Sequence, residues 1–84
     1  MDLSQAVLTG HAAEQMVRRQ IPADDVRRVL AAPDQVLQVR SGRVVAQGLV
    51  GGYLVRVFVD VDRTPAEVVT AYRTSKIEKY RSQP

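Results

Sequence analysis

The feature that most constrains the fold of this chain is a change of hydrophobic period at Gln35. Before it, apolar residues recur at helical spacing; after it, they alternate with polar ones. In the first third, Thr9 suits an N-cap, and Ala12, Ala13, Met16 and Val17 form an apolar stripe that ends near Gln20. Ile21-Pro22 breaks that helix and opens a second. Asp24 and Asp25 fit its amino end, Val26, Val29 and Leu30 its buried side, and Ala32-Pro33 its stop. The alternation then predicts strands at Gln35–Arg40, Arg43–Val50, Tyr53–Asp60 and 67–73. Ser41-Gly42 and Gly51-Gly52 supply hairpin turns, and Asp62-Arg63-Thr64-Pro65 a looser link. Links this short imply an antiparallel meander. The expectation is one α+β domain over residues 1–84, with two N-terminal helices packed on one face of a four-stranded antiparallel sheet and a short C-terminal helix or tail.

Alternation also sorts the faces. Leu37, Val39, Val44, Ala46, Val55, Val57, Val59, Val69 and Ala71 form an apolar set expected to meet the helices. The opposite set carries Gln38, Arg40, Arg43, Gln47, Arg56, Thr70 and Tyr72, mixed with Val45, Leu49 and Phe58. That face is expected to be open and basic. The assignment depends on register, because a slip of one residue exchanges the two faces.

Composition narrows the chemistry. The absence of cysteine excludes disulfides, thiolate catalysis and Cys-ligated zinc, and a single histidine excludes a His-rich metal site. No metal or cofactor is expected. No apolar run approaches membrane-spanning length, and Met1-Asp2-Leu3-Ser4 lacks a secretory pattern, so a soluble cytoplasmic protein away from membranes is the default. A net charge of +3 points to an anionic partner. The last twelve residues carry four of the basic groups against one acid, which is equally the composition of a solvated tail. The aromatics Tyr53, Phe58, Tyr72 and Tyr80 are too few for a base-stacking platform of the single-strand-binding kind.

Polar chemistry concentrates in residues 70–81 and around His11. His11, in the first turn of the first helix, is the one side chain of a type that titrates near neutrality. Gln15 and Arg19 follow it at steps of four, along one flank of the helix. Arg19 can offer a planar fork to phosphate, cap the helix, or pair with Asp24 or Asp25. Tyr72, Thr74, Lys76 and Tyr80 complete the candidates, with Arg56 and Thr70 on the same expected face. Tyr80 can equally be an anchor that packs a terminal helix. No phosphate-binding glycine loop and no HExxH motif occurs.

The stretch from His11 to Ile21 (HAAEQMVRRQI), followed by Val26, Leu30 and Pro33 and closed by Val68-Val69-Thr70-Ala71-Tyr72, resembles the small bacterial family DUF4258. That family's pattern runs roughly H-A-x-E-R-M-x-x-R-x-I, then a helix ending at proline, then strands closing on V-x-T-x-Y. The resemblance implies a RelE/barnase-like toxin fold and a ribonuclease toxin. It carries the family's histidine onto His11, its second helix arginine onto Arg19, and its threonine and tyrosine onto Thr70 and Tyr72. Gln15 stands where the pattern has arginine, so one charged donor is missing.

Together these readings give the expectation of a metal-independent endoribonuclease toxin of a toxin–antitoxin or related system. His11 would be base or acid for attack by the 2′-hydroxyl, and Arg19 with Arg56 or Lys76 the electrostatic clamp. Tyr72 would be the partner acid or a positioning group, and Thr70, Thr74 and Tyr80 would hold substrate. RNA and an acidic cognate antitoxin are the expected partners, and a homodimer through the free sheet face is the third use of that surface. The alternative is a non-catalytic module that binds nucleic acid or protein on the basic open face.

Overall fold

The computed structural model describes residues 1–81. Among them, five strands form one sheet and three helices flank it: β1 (Val7–Leu8), α1 (Gly10–Arg18), α2 (Ala23–Ala31), β2 (Gln35–Arg40), β3 (Arg43–Val50), β4 (Tyr53–Asp60), β5 (Glu67–Thr74) and α3 (Ile77–Arg81). The strand order is β1-β5-β4-β3-β2. The four expected strands pair as an antiparallel meander. The fifth, β1, corrects both the count and the pairing, because it runs parallel to β5.

Thr9 fastens this start of the chain in three ways. Its N–H donates to the Val68 carbonyl at 3.2 Å, its hydroxyl donates to the same carbonyl at 2.9 Å, and its Oγ1 accepts from the Ala12 N–H at 3.0 Å. One residue thus ends β1 and caps α1. At the other end of α1, Gln20 takes a positive φ of 57° and the Ile21 N–H returns to the Met16 carbonyl, a left-handed helix stop built without glycine. The Gly51-Gly52 pair, at φ 59° and 85°, makes the tight turn between β3 and β4 that other residues would strain to adopt.

The main core lies between α1, α2 and one sheet face. Ala12 and Met16 from α1 and Val26, Val29 and Leu30 from α2 pack with Val44, Ala46, Val55, Val57, Val59, Val68 and Ala71. Leu3 and Ala6 close its edge, and Arg27 on α2 donates to the Ala6 carbonyl at 2.6 Å. Each fully buried Val or Leu of this set stabilises the fold by about 1.5–3 kcal/mol.

Four face assignments are corrected by register. Leu37 pairs with Val45 and so lies on the polar face, while Gln38 pairs with Val44 on the helix side; Val39, expected to meet the helices, falls in the irregularity between Gln38 and Arg40 and is exposed. On β5, pairing shifts between Phe58 and Val59, whose partners are Thr70 and Val68. Val69 is therefore the extra residue of a bulge, and Val68 takes its expected place in the core.

The expected free face is also not free. Tyr80 of α3 lies against Arg56, Gln47 and Tyr72, all on the side away from α1 and α2. Val45 and Leu54 are buried there, apart from the main core. Among the described residues, no helix is long and apolar enough to cross a membrane.

Candidate functional site

The sheet register lines up Gln35, Gln47, Arg56 and Tyr72 as one cross-strand row over β2, β3, β4 and β5. Their side chains are joined. Gln47 Nε2 donates to Gln35 Oε1 at 2.7 Å and to the Tyr80 carbonyl at 3.1 Å. Arg56 donates from Nε to Gln47 Oε1 at 2.8 Å and from Nη1 to Tyr72 Oη at 2.6 Å. The Arg56 guanidinium also stands 4.3 Å from the Tyr80 ring centre and 5.6 Å from those of Phe58 and Tyr72. Gln47 is fully buried with its amide satisfied on both sides, so it fixes the orientation of Arg56.

The two phenols at the end of this row are driven apart. Burial pushes the Tyr72 hydroxyl up; the Arg56 bond opposes the rise and the hydrogen bond with Tyr80 adds to it. The Tyr80 phenol is held below its usual range by the hydrogen bond with Tyr72 and by the charge of Lys79. Arg56 donates to Tyr72, and Tyr72 keeps its own proton.

Tyr72 leads from this row into a cleft of about 780 Å³ at the end of β5, lined by Arg19, Tyr53, Tyr72, Arg73, Thr74 and Ser75. Arg19 reaches it from the carboxyl end of α1. Its Nη1 donates to the Ala71 carbonyl at 2.9 Å and to Thr70 Oγ1 at 3.2 Å, so neither Asp24 nor Asp25 is its partner. The edge of β5 that β1 leaves unpaired therefore receives a guanidinium. Arg73 lies over the Tyr53 ring, its Cζ 4.9 Å from the centre. Thr74 Oγ1 accepts from the Lys76 N–H at 3.0 Å, which leaves its own proton for a ligand.

Acidic groups gather at the opposite end of β4 and β5. Asp60 binds Arg43 through two bonds, at 2.6 Å and 3.2 Å. Arg63 bridges Asp60, Asp62 and Glu67. The acids of this segment are thus neutralised in place, and among the described residues no carboxylate lines the cleft. Two guanidiniums and four hydroxyl-bearing side chains remain there to meet an anion.

The structure thus brings together five of the expected residues: Arg19, Thr70, Tyr72 and Thr74 around the cleft, and Arg56 behind it. Tyr80 backs Tyr72 and Arg56, their ring centres 6.3 Å and guanidinium 4.3 Å away, so it is a packing partner as well as a polar one. Lys76 belongs to a separate hollow with Leu49, Ile77 and Lys79. His11 is exposed, its side chain makes no hydrogen bond among the described residues, and it does not line the cleft. It stands on the same flank of α1 as Arg19, about 12 Å along the axis. Among the described residues, no three His, Asp or Glu side chains gather as metal ligands.

Three cleft residues, Tyr53, Arg73 and Ser75, escaped the sequence reading. Tyr53 and Arg73 fall by parity on the helix side of the sheet, and only their position beside the end of α1 leaves them exposed. The family model described as a domain of unknown function, DUF4258, matches residues 8–73. The chain belongs to this family. The matched span of this DUF4258 domain runs from the last residue of β1 to Arg73 and so takes in His11, Arg19, Thr70 and Tyr72, leaving α3 outside. No curated protein and no solved structure matches the chain.

Proposed function

We propose that this DUF4258 domain is a metal-independent ribonuclease, a toxin, that grips a phosphodiester in the β5 cleft. The observation that carries the reading is the lining itself: Arg19 and Arg73 with Tyr53, Tyr72, Thr74 and Ser75, and no carboxylate among the described residues. Such a surface attracts phosphate and stabilises the extra negative charge of a pentacoordinate phosphorus. In this reading Arg19 stays in the clamp, and Arg73 takes the place expected of Arg56 or Lys76. Arg56 serves instead to hold the Tyr72 phenol.

In the proposed reaction, a base takes the proton of the 2′-hydroxyl, its oxygen bonds to phosphorus, and the P–O5′ bond breaks. The leaving 5′-oxygen takes a proton, giving a 2′,3′-cyclic phosphate and a free 5′-hydroxyl. Tyr72, protonated at neutral pH and oriented by the 2.6 Å bond from Arg56, is the candidate acid. His11 supplies the base from the α1 flank when RNA lies along the β5 edge. An acidic antitoxin is complementary to the same cleft.

The test is incubation of the purified protein with RNA at low salt in the presence of a chelator, reading the ends of the products. Cyclic phosphate ends that disappear in Arg19→Ala and Tyr72→Phe support the assignment. Intact RNA and normal growth on induced expression would sink it.

The exposure of His11 away from the cleft favours a second reading, a non-catalytic RNA-binding module. It is distinguished by salt-sensitive binding without any cleavage.

A further inference from the structure

Three of the four aromatic side chains are already committed to one another. Phe58, Tyr72 and Tyr80 surround Arg56, with ring centres 6.0 Å and 6.3 Å apart. Tyr53 is different: 42% of it is exposed, and it is the one ring that enters the cleft from the β3–β4 turn. The guanidinium of Arg73, itself exposed, lies over that ring. Gly51 and Gly52, just before it, carry no side chains, and the space around them is open.

We infer that Tyr53 and Arg73 form a stacking position for a single unpaired nucleobase. This inference rests on the reading of the cleft as a nucleic-acid site and names what part of the ligand it selects. A ring with a guanidinium laid over it presents flat, apolar and cationic surfaces, and an unstacked base adds to either. A nucleotide seated there has its phosphate within the same cleft as Arg19 and its sugar beside the hydroxyls of Thr74 and Ser75. Four aromatics are too few to read a long single strand, but one base needs one ring. A paired base is already stacked within its duplex, so the position favours single-stranded RNA.

The experiment uses two fluorescein-labelled 2′-O-methyl oligomers of equal length, one an oligoadenylate and one abasic. The 2′-O-methyl group blocks attack, so binding is read by anisotropy without cleavage. The wild-type protein is expected to prefer the base-bearing oligomer by about tenfold. Tyr53→Ala is expected to lose that preference and bind the two oligomers alike, whatever its absolute affinity; Tyr53→Phe keeps the preference. The ratio is internal to each variant, so partial unfolding of Tyr53→Ala does not imitate the result. Equal binding of both oligomers by the wild type, or an undiminished preference in Tyr53→Ala, overturns the stacking position and leaves the phosphate-binding reading standing. Binding of neither oligomer by the wild type overturns both.

Discussion

Arg19 Nη1 lies 2.9 Å from the carbonyl oxygen of Ala71, and this bond ties the end of α1 to β5 beyond the point where β1 stops pairing. The same guanidinium lines the cleft, so fastening and the proposed anion binding would share one side chain. Because Arg19 is exposed, water replaces the bond to Ala71 at little cost. Arg19→Ala is therefore expected to change stability by no more than about 1 kcal/mol in urea titration. It should weaken RNA retention and cleavage at least about tenfold in gel assays. Arg19→Lys should restore only part of the loss, because an ammonium cannot offer the planar fork.

Tyr72→Phe removes the acceptor from Arg56 Nη1 at a half-buried position. A destabilisation of about 1–2 kcal/mol is expected from the hydrogen bond lost to a charged group. Urea midpoints of Tyr72→Phe and Arg56→Lys, alone and combined, measure whether the two residues act as a pair; strictly additive losses would contradict the coupling.

Thr9→Ala deletes both the donor to Val68 and the acceptor for the Ala12 N–H. The expected loss is about 1–2 kcal/mol, near the upper range for helix caps because strand and helix are released together. Thr9→Ser should recover most of it. Hydrogen exchange at Ala12 reads the cap directly.

The bond from Arg43 holds the Asp60 carboxyl below its ordinary value of 3.8. A carboxyl depressed in the folded state adds stability above its unfolded pKa, and that contribution is lost as pH falls through the folded value. Stability should therefore decline below about pH 4. Asp60→Asn should cost about 2 kcal/mol at neutral pH, and its deficit relative to wild type should shrink in acid. Denaturation curves at the two pH values decide it; a deficit that stays constant with pH rules this pair out as the acid-sensitive element.

His11→Ala tests the assignment of the base. The ribonuclease proposal expects cleavage to fall by about 10²–10⁴ while binding to RNA stays unchanged. Cleavage at the wild-type rate would assign the base elsewhere on the β5 edge.

The meander was legible because polar-apolar alternation and two glycine turns leave little freedom from Gln35 onward. β1 was not: Val7-Leu8 is two residues long, and its parallel pairing with β5 has no turn to announce it. The bulge was hidden for a different reason. Val68 and Val69 are both apolar, so the extra residue does not disturb the pattern from which faces are read. Val36 and Leu37 conceal the register of β2 in the same way. At the site, residue type revealed Arg19, Thr70, Tyr72 and Thr74. Tyr53 and Arg73 depended on where α1 ends, a tertiary fact that strand parity does not carry.

The buried row through Gln47 also bears on how the chain finds its fold. A slip of β3 against β4 by two residues would keep every side chain on its own face, with valine still meeting valine or alanine in the core. It would nevertheless separate Gln47 from Arg56 and strand a guanidinium among apolar neighbours. In a sheet so rich in one residue type, contacts among valines cannot tell the correct pairing from its near misses. Gln47 and Arg56 can, and the centre of this sheet thereby carries its own error check during folding.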